Sequence, residues 1–293
     1  MHSKKLITHI FAAILIAATL LGCSRPSAKT GKMVVAASIA PLANFCKEVG
    51  GNYVKVELLV PPGSNPHTYQ VQPDQMEMLS NASVLVLNGV GLEFWAKNVT
   101  DAADNHKLIV TQTAAGLPVI DHGDEEGGNP HVWVDPIDAI HQVNAIRDAF
   151  AKADPTHAKQ YSQNAARYVT KLKHLDTYIR SQVSDFRSRS FISFHPTWVY
   201  FSKRYGLKEA AVIESSPGKE PAPDDIRQVI DTAKRLRVKA IFAEPQVYPK
   251  AAYVVAEEVG AKIVTLDAFG KPPSYDYIAM MKSNINAVAG AMK

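Results

Sequence analysis

DPTHAKQYSQNAARYVTKLKHLDTYIRSQVSDFR, residues 154–187, decides how the rest of the chain is organised. Asp154-Pro155 reads as a helix start, with Asp as N-cap and Pro in the first turn, where its missing N–H costs nothing. From there Tyr161, Ala165, Tyr168, Leu172, Leu175, Ile179, Val183 and Phe186 recur in steps of three or four. That spacing lays one apolar stripe along a continuous helix to about Arg187. No Gly or Pro follows Pro155 in this stretch, so the helix is expected to be unbroken. At its full length it would reach on the order of 50 Å.

On either side, short β-rich runs alternate with helical patterns. Residues 33–38, 54–60, 83–88 and 108–111 precede the long helix, and 191–194, 210–213, 239–243 and 262–266 follow it. Helices are expected from near Pro41, Pro73 and Leu92, and over 196–205, 223–237, 249–259 and 274–291. Strands alternating with helices imply parallel sheets covered on both faces. The expected fold is α/β, with two lobes, each a four-stranded parallel sheet flanked by helices, joined by one long rigid helix. The boundaries are a signal segment at 1–22, a tether at 23–32, an N-terminal lobe at 33–154, the linking helix at 155–188 and a C-terminal lobe at 189–293.

The first residues have a separate job. Lys4 and Lys5 precede IFAAILIAATLL, an apolar run over residues 10–21. It is too short to span a bilayer comfortably and has the order of an export signal. It ends in Leu20-Leu21-Gly22-Cys23, which resembles the bacterial lipobox, whose cysteine is acylated and becomes the first mature residue. Cys23 is therefore the expected lipidation site, and SRPSAKTGK (24–32) a polar tether. The expected location is the cell envelope, at the outer face of the plasma membrane or in the periplasm. Cys46, inside an apolar helical run, reads as a small core residue.

Composition narrows the function classes. The 293 residues are 46% hydrophobic and 20% charged, which excludes a disordered or polytopic membrane protein. The 32 basic and 28 acidic residues include no dense basic stretch interleaved with aromatics, so no nucleic-acid partner is expected. Lys234-Arg235-Leu236-Arg237 complements a helix C-terminus. Gly89-Val90-Gly91 lacks the third glycine of a dinucleotide fingerprint, where Phe94 stands, and reads as a tight turn.

Chemistry gathers at four positions. His67 lies in PPGSNPHTYQ, His131 in NPHVWVDP, His195 in SFHPTW and Asp267 in TLDAFG. His67, His195 and Asp267 each follow a predicted strand, and His131 leads into a helix capped by Asp135-Pro136. In open α/β sheets ligands bind at the carboxyl edge. Three imidazoles and a carboxylate would suit Zn²⁺, whereas Mn²⁺ prefers more oxygen. The four have no local chelate spacing, however, and the residues alone leave them as four scattered polar groups. His106, His141, His157 and His174 read as surface or packing histidines.

Six blocks in order change that balance: PPGSNPHTYQVQPDQMEMLSNASVLVLNGVGLEFW, HVWVDP, FHPTWVYFSKRYGL, SPGKEPAPDDI, IFAEPQ and LDAFG. Over residues 33–293 the chain resembles the zinc/manganese substrate-binding lipoproteins of ABC transporters. The resemblance implies two four-stranded lobes on one long helix, with His67, His131, His195 and Asp267 at the metal-ligand positions. His195 stands where members resembling manganese binders have Glu, so zinc is the implied cargo and manganese the alternative. LDAFG lacks the proline that the family more often has after the Asp, so the Asp267 loop can differ in shape. The stretch DHGDEEGGN replaces the long histidine-rich loop of many zinc members. Glu244, in AEPQ, reads either as a partner orienting a ligating imidazole or as an ordinary strand-end carboxylate.

The resemblance thus implies a monomeric carrier, not an enzyme, that captures Zn²⁺ and delivers it to an ABC permease, held at the membrane by its lipid. A zinc hydrolase, with Glu244 as its base, and a surface adhesin of the same fold stand as alternatives.

Overall fold

The computed structural model describes residues 31–121, 127–214, 220–245 and 250–293. The signal segment, Cys23, most of the tether, the acidic residues 124–126 and part of the SPGKEPAPDDI block lie outside the described residues. Met33–Lys293 forms one compact unit. Among the described residues no helix is long and apolar enough to cross a membrane.

Among the described residues eight strands form two separate, wholly parallel sheets. The first contains β1 (Met33–Ala37), β2 (Val54–Leu58), β3 (Val84–Leu87) and β4 (Ile109–Gln112), in the order β2-β1-β3-β4. The second contains β5 (Ser190–Ser193), β6 (Lys208–Val212), β7 (Ala240–Ala243) and β8 (Lys262–Thr265), in the order β6-β5-β7-β8. Burial follows position. Interior strands VLVL (β3) and AIFA (β7) are buried at every residue, as strands covered on both faces must be. Edge strands carry charge instead: Lys55 and Glu57 pair at 2.6 Å on β2, a device that discourages edge-to-edge pairing.

Among the described residues nine α-helices follow in chain order: α1 (Ala40–Gly50), α2 (Pro73–Asn81), α3 (Ala96–Ala102), α4 (Pro136–Ala153), α5 (Ala158–Val183), α6 (Val199–Tyr205), α7 (Pro223–Leu236), α8 (Lys250–Val259) and α9 (Tyr277–Met292). The expected helix at Leu92 begins later, at Ala96. Gly89, Val90 and Gly91 all adopt positive φ, so residues 89–95 make turns before the helix can start.

The linking helix α5 buries Tyr161, Ala165, Tyr168, Leu172, Leu175, Ile179 and Val183, which is the stripe read from the sequence. Each large side chain so buried contributes roughly 1.5–3 kcal/mol. Its 26 residues span about 39 Å at roughly 1.5 Å per residue, shorter than expected. At the start, Pro155–His157 forms a separate 3₁₀ turn. Asp154 stands at the N-cap position of that turn without a side-chain cap bond; its Oδ2 accepts from His157 Nδ1 (2.6 Å) and Tyr161 Oη (2.8 Å). At the far end the chain leaves the helix after Val183, and the N–H groups of Arg187 and Ser188 donate to the carbonyl of Met292. Phe186 completes the apolar stripe from outside the helix and is still buried.

One hydrophobic cluster runs through both sheets, taking in Val35 and Val86, α5, Trp133, Phe191, Phe242 and Tyr277. Polar ties cross beside it. Asp135 caps α4 through Ile137 N (2.8 Å), as the sequence indicated, and its other oxygen accepts from Arg204 Nε of α6 at 2.6 Å. Tyr277 Oη donates to the carbonyl of Trp133 (2.7 Å).

Candidate metal centre

Each histidine is delivered by a short rigid segment. After β2, Pro61-Pro62-Gly63 turns the chain, and Asn65 Oδ1 accepts from the backbone N–H of His67 (3.0 Å), a local Asx turn. His195 lies two residues past β5 in extended conformation, and Pro196 opens the 3₁₀ turn leading into α6. His131 precedes the 3₁₀ turn Val132–Val134 that feeds α4. Its approach depends on Gly128, which has φ near 88° and lies so close to Val119 and Ile120 that a Cβ would stand 2.5 Å from Val119 Cγ1.

These segments bring three imidazoles to one point. His67, His131 and His195 each offer a nitrogen, and these atoms all lie within 4.8 Å of one another. The His67 and His131 Nε2 atoms are 3.2 Å apart. Ring centroids form a nearly equilateral triangle of 5.1 Å (His67–His131), 5.3 Å (His67–His195) and 5.1 Å (His131–His195). The distances can be compared with a tetrahedral zinc bound at ~2.0–2.1 Å: its nitrogens would be roughly 3.3 Å apart and its imidazole centroids roughly 5.2 Å. Both observed spacings fall at these values.

His131 is almost wholly enclosed and His195 nearly so, while His67 forms the more open wall. Burial pushes the His67 imidazole down to about 4, so at neutral pH it is an uncharged donor. Trp133 packs against His131 (centroids 5.2 Å) and Phe269 (5.6 Å), closing the floor with hydrocarbon.

Asp267 stands apart from the three-histidine group. It follows β8 and is half-buried. Its Oδ1 accepts from the N–H groups of Phe269 and Gly270, both at 2.9 Å. Its backbone is gripped at both ends by Asn284 of α9: Asp267 N donates to Asn284 Oδ1 (2.9 Å) and Asn284 Nδ2 donates to Asp267 O (2.6 Å). Asp267 lines a cleft of about 510 Å³ with Thr265, Lys271, Ser283 and Asn284.

Glu244, at the end of β7, has the indole of Trp198 as its partner, with Nε1 donating to Oε1 at 3.2 Å. Burial raises its carboxyl to about 8, against the hydrogen bonds from Thr197 and Trp198 that pull the other way. The remaining described histidines serve packing or surface roles: His141 Nε2 bonds the carbonyl of Ala115 (2.8 Å), and His157 stacks on Tyr53. Cys46 is buried in the core.

The sequence reading passed over Asn129, Trp133 and Asn284, which hold the segments carrying His131, His195 and Asp267. Asn129 and Trp133 flank His131 at two residues' distance, and that proximity was the available signal.

Two parallel sheets on a long helix, with a nitrogen-rich candidate cation site at their loops, define a class of α/β metal-binding proteins. The chain belongs to the family described as zinc-uptake complex component A, periplasmic, whose model matches residues 35–291. It is 27% identical to the zinc-binding lipoprotein AdcA of Streptococcus pneumoniae over 95% of its own length, and spans about 60% of that relative. With the manganese-binding lipoprotein MntA of Halalkalibacterium halodurans it shares 28% identity, over 98% of this chain and 99% of MntA. Among solved structures, a zinc-bound deletion mutant of ZnuA superposes with a TM-score of 0.83 at 31% identity, covering 90% of this chain and 99% of ZnuA.

Proposed function

We propose that the protein captures Zn²⁺ outside the cytoplasm and hands it to an ABC permease, with Mn²⁺ as the alternative cargo. The triangle of His67, His131 and His195 carries this reading, because its spacings are those of three imidazoles around one small cation. Asp267 is the fourth donor: its Oδ1 is engaged in the turn, and Oδ2 is the oxygen that turns to the ion. Three nitrogens favour zinc over manganese. The names of the AdcA and ZnuA relatives agree, and that of MntA keeps manganese as the alternative.

In the same reading the chain is a monomer tethered through acylated Cys23. Its lobes are 33–154 and 189–293, joined by 155–188. Four protein donors leave no position for a reactive water. Glu244, held near neutrality of charge by burial and engaged by Trp198, is unsuited to act as a general base. The protein is therefore a carrier and not a hydrolase.

Elemental analysis of the purified protein and of His195→Ala tests the proposal. One tightly held zinc in the wild type, lost or weakened in the variant, supports it. Equal metal content in both would refute it.

A further inference from the structure

Asn129, two residues before His131, is fully buried, and every polar atom it owns has a defined partner. Its backbone N–H donates to the carbonyl of Ile120 (2.9 Å), and its carbonyl accepts from Tyr200 Oη (2.7 Å). Its Oδ1 accepts from the backbone N–H of His131 (3.0 Å) and faces His131 Nδ1 at 3.0 Å. Its Nδ2 donates to the carbonyl of Pro196 (2.7 Å), one residue past His195.

The orientation of this amide follows from chemistry. A backbone N–H can only donate and a backbone carbonyl can only accept. The oxygen must therefore face His131 and the NH₂ must face Pro196; a flipped amide would set donor against donor and acceptor against acceptor. With an oxygen opposite it, His131 Nδ1 must carry a proton. The lone pair is then on Nε2, the nitrogen that lies 3.2 Å from His67 Nε2.

We infer that Asn129 is a positioning residue with two arms: one fixes the tautomer of His131 so that Nε2 faces the ion, and the other ties that imidazole to the segment bearing His195. The inference rests on the proposed metal site and adds to it the group that sets the ligand geometry. Neither arm is replaceable by Gln, whose extra methylene would move both contacts in a fully enclosed space. The informative substitution is Asn129→Asp, because a carboxylate keeps the acceptor and lacks the NH₂ donor.

The test is a long-range ¹H–¹⁵N spectrum of histidine-labelled protein, freed of metal by a chelator, together with Zn²⁺ competition titrations. Wild-type His131 is expected to be protonated at Nδ1. In Asn129→Ala it should shift toward Nε2–H, with zinc affinity lowered about 10–100-fold. Asn129→Asp should keep the Nδ1–H tautomer and still bind zinc more weakly than the wild type. An Nε2–H signal for wild-type His131 overturns the inference, and this reading needs no variant to fold. So does an Asn129→Ala protein with an unchanged tautomer, or an Asn129→Asp protein with undiminished zinc affinity. If the tautomer is as stated but the wild type binds no zinc, the carrier reading falls while the tautomer assignment stands.

Discussion

Trp133, two residues past His131, donates its indole N–H to the carbonyl of Ala268, one residue past Asp267, at 2.8 Å. The segment carrying an enclosed imidazole is thereby bonded to the segment carrying Asp267, across 135 residues of sequence. Asn129 makes the corresponding bond to Pro196 on the other side. The loops around the cation site are fastened to one another as well as to their own sheets.

Trp133→Phe keeps most of the aromatic bulk and removes the donor, leaving a buried carbonyl unpaired. The cost should be about 1–3 kcal/mol of stability, and zinc affinity should fall as the Asp267 loop loosens. Denaturant unfolding and zinc titration of the variant measure the two effects. A stability loss with unchanged affinity would show that the bond does not position Asp267.

Asp267→Asn isolates the charge of the proposed fourth donor. The amide oxygen can still accept from Phe269 and Gly270, so the turn and the metal-free stability should change by no more than about 0.5 kcal/mol. Zinc binding should weaken clearly in a calorimetric titration. Wild-type affinity in this variant would remove Asp267 from the coordination sphere.

Glu244 gives a pH prediction. Its carboxyl is raised from 4.5 to about 8, chiefly by burial. A folded-state value above the unfolded one means stability is fully present below about 4.5 and declines as pH rises through 8, because ionising the buried acid costs energy. Glu244→Gln removes that cost. Chelator-treated Glu244→Gln should match the wild type near pH 4.5 and exceed it by roughly a few kcal/mol above pH 8. Parallel pH profiles for the two proteins would mean that Glu244 is ionised without penalty.

Leu172 lies fully buried at the middle of α5. Leu172→Ala should cost about 2–5 kcal/mol, the usual range for a core truncation. Thermal unfolding would show a lowered midpoint, and a change under about 1 kcal/mol would contradict the close packing of this stripe.

Much of this was legible in the sequence because burial leaves periodic marks. All eight strands fall where the β-rich runs stand, and the seven buried residues of α5 repeat the expected spacing. What escaped depends on partners distant in sequence. Asp154 reads as an N-cap until His157 and Tyr161 engage its carboxylate. The helix end moves because Arg187 and Ser188 find the carbonyl of Met292, more than a hundred residues later. At the candidate cation site, residue type and position left four polar groups whose meeting only the family resemblance implied, and three of them, the imidazoles, do converge. The same signal cannot report where a carboxylate points, and Asp267 Oδ1 is held by the N–H groups of Phe269 and Gly270 in its own loop. Asn129 offered only its nearness to His131, since an asparagine before a proline is ordinary loop chemistry until both ends of its amide are accounted for.

The hydrophobic cluster that joins Val35 and Val86 to Phe191 and Phe242 through α5 makes the two sheets thermodynamic dependants of one another. Heated in a calorimeter, the molecule should melt in one endotherm, and a chain cut after residue 188 should yield fragments that aggregate unless expressed together. An architecture that looks like two modules on a rod is, in its energetics, a single body whose parts cannot be traded independently.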